Sequence, residues 1–110
     1  IGSAKDVAIS NNKAFIASSI LQIYDIATPS TPQLIYNYDT AGSAEKVIVS
    51  DNIVFVANRY PHSIQIIDVS DNNQPTVISI IDTDQVAIAA ENNILCVATS
   101  NLNIEIYDVR

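Results

Sequence analysis

The sequence predicts an all-β repeat fold made of four-stranded antiparallel units, two complete and one incomplete, and three observations carry that expectation. The stretch Leu21 to Ile35, LQIYDIATPSTPQLI, returns as Ile64 to Ile78, IQIIDVSDNNQPTVI, and its opening half returns again as Ile104 to Val109, IEIYDV. The aspartates Asp25, Asp68 and Asp108 are thereby spaced by 43 and 40 positions, the period of arrays built from one four-stranded unit per repeat. Between these copies short apolar, β-branched runs alternate with polar clusters, and no helical periodicity joins them.

Each element follows from local chemistry. Ala4 to Ile9, Ala44 to Val49 and Asp84 to Ile88 are apolar on both parities, as strands covered on both faces are. Val7, Val47 and Val86 are expected to hold the same place in them. The pairs Asn11-Asn12, Asp51-Asn52 and Asn92-Asn93 follow. Asn and Asp tolerate positive φ better than other residues with side chains, so these pairs are expected to form type I′ hairpins. Second strands are expected at Lys13 to Ala17, Ile53 to Ala57 and Ile94 to Ala98, where Phe15, Phe55 and Cys96 align. Connections of unequal length follow: Ser18 to Ile20, Asn58 to Ser63 and Thr99 to Asn103. Length variation at a fixed point of a repeat marks an exposed loop. Third strands are the motif itself, with Asp25, Asp68 and Asp108 placed to hold the following turn through their carboxylates. Pro32 and Pro75 fix a turn before fourth strands at Gln33 to Tyr38 and Thr76 to Ile81. The units are thus expected at residues 1–42, 43–83 and 84–110, the last with three strands.

A repeated meander of four antiparallel strands is a propeller blade, so the units are expected to be blades of a β-propeller. LQIYD, IQIID and IEIYD, the first two followed by a turn rich in Ser, Thr, Asp or Asn and then a Pro, resemble the LVIVD repeat. The second turn departs from the usual form, with Asn73-Gln74 where a first Pro is expected. The resemblance implies a β-propeller of bacterial or archaeal surface and secreted proteins, hence an extracellular or cell-surface location.

Composition narrows the partners. With 48% hydrophobic residues the 110-residue chain can build a core. A net charge of −7 repels phosphate backbones and anionic headgroups, so nucleic acid is not an expected partner. Apolar runs stop far short of the roughly 20 residues that cross a bilayer, so membrane insertion is not expected either. The start at Ile1 and the absence of Met lead to the expectation that a segment has been removed upstream. A single Cys leaves no internal disulfide.

No catalytic constellation is legible. His62, the one histidine, falls in the most variable loop, and Cys96 takes the slot of two phenylalanines, which suggests a buried small hydrophobe. Asp71-Asn72-Asn73 and Glu91-Asn92-Asn93 offer oxygen ligands of the kind calcium takes, without the spacing of a calcium loop. Calcium is therefore a weak possibility and no cofactor is expected. The loop between second and third strands and the loop leading to the next unit emerge on one rim, collecting Asp39, Glu45, Lys46, Arg59, Tyr60, His62, Asp82 and Asp84 as candidate partner residues. The first inter-unit link, Asp39 to Val47, is expected to exceed the second, Asp82 to Val86, by four residues. The resulting expectation is a non-enzymatic structural or protein-interaction scaffold, within a longer chain or an assembly. Its partner would be a protein or further copies of the same repeat. The alternative is a carbohydrate- or calcium-binding module.

Overall fold

The computed structural model describes residues 3–40, 42–59, 62–71 and 74–109. These form eleven strands: β1 Asp6–Ser10, β2 Lys13–Ala17, β3 Leu21–Asp25, β4 Gln33–Tyr38, β5 Ser43–Ser50, β6 Ile53–Arg59, β7 Ser63–Asp68, β8 Thr76–Ile81, β9 Gln85–Glu91, β10 Ile94–Thr99 and β11 Ile104–Asp108. They make three antiparallel sheets, β1-β2-β3-β4, β5-β6-β7-β8 and β9-β10-β11, with neighbours in sequence paired in space. No helix among the described residues is long and apolar enough to cross a membrane.

Positive φ marks the hairpins. Asn11 and Asn12 have φ of 51° and 61°, and Asn92 and Asn93 have 52° and 63°, as a type I′ turn requires. The middle hairpin differs from the sequence expectation. Asp51 has φ of 54° while Asn52 is outside the left-handed region, although Ser50 still pairs with Ile53 across a two-residue turn. Positive then negative φ is the sign pattern of type II′, which matches strand twist equally well. In all three units the carbonyl of the second turn residue accepts from the residue after the motif Asp: Asn12 from Ile26, Asn52 from Val69 and Asn93 from Val109, each at 2.9 Å.

Register counted from these turns corrects one alignment. Val7 pairs with Ile16 and Val47 with Val56, and the equivalent pair in the third sheet is Ile88 with Val97, not Val86. The turn sets the pairing, whereas counting from the other end crosses a register shift between Ala98 and Thr99. The two inter-unit links, measured from Asp39 to Val47 and from Asp82 to Ile88, therefore differ by two positions and not four.

The motif aspartates close the third strands. Asp25 Oδ1 accepts from the Ala27 N–H at 2.9 Å, and Asp68 Oδ1 from the Ser70 N–H at 2.8 Å, so the carboxylate replaces a backbone carbonyl in each turn. Ser70 holds the Asp68 carboxyl below the usual carboxylate range, first through its N–H and then through its hydroxyl. Asp108 ends β11 at the same place.

The core lies between sheets. Phe15, Ala17, Leu21 and Ile23 of the first sheet pack with Val47, Val54, Val56, Ile67 and Val69 of the second. The opposite face of the second sheet, Phe55, Ala57, Ile64 and Ile66, packs with Ile88, Leu95 and Val97 of the third. β1 lies against β5 and β5 against β9, so first strands are the points of closest approach between sheets. Polar contacts bridge the sheets as well: the Val47 N–H donates to Asp6 Oδ2 at 3.0 Å, Lys5 Nζ to Glu45 Oε2 at 3.4 Å, and the Asn93 N–H to Ser50 Oγ at 3.1 Å.

Candidate binding rim and open sheet faces

β6 and β7 position the rim residues, and they run further than the sequence suggests. Asn58 and Arg59, expected in a loop, belong to β6, and Asn58 pairs with Ser63. The cause is a buried polar ladder: fully buried Asn58 donates through Nδ2 to Ser63 Oγ at 3.3 Å and Gln65 Oε1 at 3.4 Å. A buried amide is retained where it finds such partners. The equivalent positions, Ser18 and Thr99, are buried polar residues too, with Ser18 Oγ donating to the Ile20 carbonyl and Thr99 Oγ1 to that of Asn103.

Four of the expected rim residues meet. Glu45, Lys46, Arg59 and His62 line a depression of about 70 Å³ between the second and third sheets, with Asn58, Gln85 and Ile88. Asp84 stands beside it, its Oδ1 at 3.6 Å from His62 Nδ1. Asp39 and Asp82 are exposed and do not line the depression. Tyr60 lies outside the described residues, as do Asn72 and Asn73. Asn58 and Gln85 were not singled out by sequence reasoning, yet they tie the sheets together: Gln85 Nε2 donates to the Asn58 carbonyl at 3.0 Å and the Ser63 carbonyl at 3.5 Å. Among the described residues Asn58 Oδ1 and Gln85 Oε1 accept no hydrogen bond. The only sequence signal for them is that Asn58 and Ser18 follow the same alanine of the repeat.

The chemistry of this rim is limited. Ser100 donates its hydroxyl to Asp84 Oδ2, so Ser, Asp and His are neighbours, but the carboxylate sits in the middle. A nucleophilic triad needs the imidazole between them. Among the described residues no group of three or more His, Cys, Asp or Glu is placed to hold a metal ion.

The larger feature is the pair of open faces at the two ends of the stack. Ile64 and Ile66 are 0% and 1% exposed, whereas Ile104 and Ile106, their equivalents on β11, are 64% and 61% exposed. Cys96, expected to be buried, is partly exposed, because it lies on this same face where Phe15 and Phe55 are covered by the next sheet. At the other end Val7 and Ile9 are 58% and 68% exposed.

Two four-stranded antiparallel sheets and one of three described strands, stacked through apolar faces with first strands together, define a β-propeller-like repeat protein. The family model of the LVIVD repeat matches residues 1–40 and again 41–83, and the chain belongs to that family. No curated protein matches it. Among solved structures the chain is similar to the N-terminal domain of Nup159, with a TM-score of 0.69 and 11% identity over 100% of this chain and 28% of that one. It is also similar to two computationally designed proteins at TM-scores of 0.52 and 12% identity. Ika4 is matched over 99% of this chain and 92% of its own, Ika8 over 97% and 46%. At such identities the likeness shows the fold alone. The chain spans little more than a quarter of the Nup159 domain.

Proposed function

We propose that this chain is a non-enzymatic stretch of β-propeller wall, working at the cell surface or outside the cell as a structural and protein-interaction scaffold. The observation that carries the reading is the repetition of one interface. The face bearing Cys96, Ile104 and Ile106 is the equivalent of the face that Phe55, Ile64 and Ile66 press onto the third sheet. The face bearing Val7 and Ile9 is the equivalent of the one that Val47 and Val49 present to the first sheet. The two open faces are therefore the two halves of a junction already made twice within the molecule. Their partner is another LVIVD blade, supplied by a longer chain or by a second copy added head to tail, and a ring of roughly 4 to 8 blades closes the wall. The surface location rests on the family's habits.

A tandem chain of two copies tests this. The account expects a higher melting temperature than for one copy, with Cys96 of the first copy protected from thiol reagent, and Cys96 of the second protected as well if the blades of the tandem close into a ring. Equal melting temperatures and rapid labelling of Cys96 in the first copy would remove the basis of the proposal.

A carbohydrate- or calcium-binding module is the second reading, favoured by the two unpaired acceptors, Asn58 Oδ1 and Gln85 Oε1, at the rim depression. Titration with calcium or oligosaccharides separates the readings, since a ligand at 100 times its Kd adds about 2.7 kcal/mol of stability and the scaffold reading expects none.

A further inference from the structure

The rim depression between the second and third blades has its lining on β5, β6 and β9 and at His62, all within the described sheets or beside them, so it owes nothing to the open faces at the ends of the stack. Two of its lining residues are carboxamides, and both use their NH2 group twice. Asn58 Nδ2 spans Ser63 Oγ at 3.3 Å and Gln65 Oε1 at 3.4 Å. Gln85 Nε2 spans the Asn58 carbonyl at 3.0 Å and the Ser63 carbonyl at 3.5 Å, across the blade junction. What remains is the oxygen of each amide, buried and without a donor. Asn58 is fully buried, and a buried acceptor left unpaired is costly enough that native structures keep few of them. Here two such acceptors, one from each blade, line a single small depression.

Charge and size narrow what supplies the missing donors. Lys46 and Arg59 on the lining are matched by Glu45 and the neighbouring Asp84, so no net field selects an ion. A divalent cation would sit among ammonium and guanidinium groups, and a carboxylate or phosphate has no proton to give to the two oxygens. A neutral group with two donors fits. A primary carboxamide carries both on one nitrogen and keeps a carbonyl to accept from the exposed Lys46 and Arg59. The cluster itself twice shows one amide NH2 bridging two oxygens. The room, about 70 Å³, is far below the roughly 300 Å³ or more that encloses a whole small molecule, so it suits the tip of a side chain. We infer that the depression is the docking pocket for the carboxamide of an Asn or Gln side chain on a partner protein, its NH2 donating to Asn58 Oδ1 and Gln85 Oε1. Both oxygens are closed off from solvent in this conformation, so the incoming group enters with a shift of the side chains around them. The inference rests on the protein-interaction part of the scaffold reading and not on the stacking of blades.

The isotope-labelled chain, carrying Val7→Lys in the first blade so that it is monomeric whether or not the end faces associate, is titrated with propionamide. The NMR signals of the Asn58 and Gln85 NH2 groups and of the Lys46 and Ile88 N–H groups report binding. The expected result is saturable shifts centred on these residues with a Kd of about 10 mM, as suits a probe this small. N,N-dimethylpropionamide, propanoate and propylammonium, which change only the donors or the charge, should bind at least about tenfold more weakly. These controls leave the chain's folding untouched, and Gln85→Met in the chain should weaken propionamide by a similar factor. N-acetyl-glutamine methylamide, which presents the amide as a peptide does, should bind at least as tightly as propionamide. Absence of saturable shifts, or equal binding of the dimethyl compound, would overturn the inference. A stronger response to 1,2-propanediol or calcium would give the site to the carbohydrate- or calcium-binding reading, and binding of propionamide without the capped glutamine would give it to a free small amide; either overturns it too. The scaffold reading is decided by the tandem chain and its Cys96 labelling, so the two ideas fail separately.

Discussion

Val7 and Val47 hold the same register position in successive blades, opposite Ile16 and Val56, yet Val47 is 1% exposed and Val7 58%. The same residue type at equivalent positions of two first strands differs in exposure through what lies against it. The chain's stability is thus divided between strand pairing within blades and burial between them. Burial of a Val or Ile side chain contributes about 1.5–3 kcal/mol, so the open ends forgo several such terms against a typical total of about 5–15 kcal/mol.

Between the first two blades Asp6 Oδ2 accepts the N–H of Val47, which is otherwise buried. Replacing Asp6 with Ala should destabilise the chain by about 1–3 kcal/mol, the cost of leaving a buried N–H unpaired, whereas Asp6→Asn keeps an acceptor and should recover much of it. Urea unfolding of the two variants measures the difference. Equal midpoints for both would remove the hydrogen bond from the account.

Leu102 has φ of 65° and is 93% exposed. A leucine in the left-handed region costs about 1–2 kcal/mol, and this one offsets none of that by burial. Leu102→Gly should therefore raise stability by about 1 kcal/mol, less than the strain removed because glycine loses more entropy on folding. Thermal unfolding reads this as a rise of a few degrees. A fall would show that the turn is held by the leucine side chain.

Asp68 gives a pH dependence of known sign. Its carboxyl is held below the free range by the Ser70 N–H and hydroxyl, so the unfolded chain binds that proton more readily than the folded one. The stabilisation is present above the free carboxylate pKa, near 3.9, and is lost as pH falls through the lower folded value. Asp68→Asn should flatten the stability curve over that acid interval and leave its shape near neutrality unchanged. A parallel offset at every pH, with no flattening, would contradict it.

Strand order and turn positions were legible because short apolar runs, polar pairs and fixed offsets agree with one another, and the Asp25 and Asp68 turns follow from side-chain chemistry alone. The third-blade register was not, since Val86 looks like Val47 until the pairing is counted from Asn92-Asn93. Nor was Asn58, because an asparagine serves a turn or a buried amide ladder equally well and only the side chains opposite, Ser63 and Gln65, decide. The expected rim was legible in part: it brought Glu45, Lys46, Arg59 and His62 together but took in Asp39 and Asp82 by loop position alone. Cys96 was misplaced for a related reason. The strand pattern says that its face is apolar, but whether a neighbour covers that face is a property of the stack.

The most direct measurement is sedimentation velocity on the chain, on Val7→Lys, on Ile106→Lys and on an equal mixture of the two variants. Because the two end faces are different halves of one junction, each variant keeps one good half. The account expects the unmodified chain to associate increasingly with concentration, each variant alone to stay monomeric, and their mixture to form dimers and nothing larger. An unmodified chain that remains a compact monomer at every concentration and melts sharply, or a mixture that behaves as its separate components do, would contradict the claim that the end faces are unfinished halves of the blade interface.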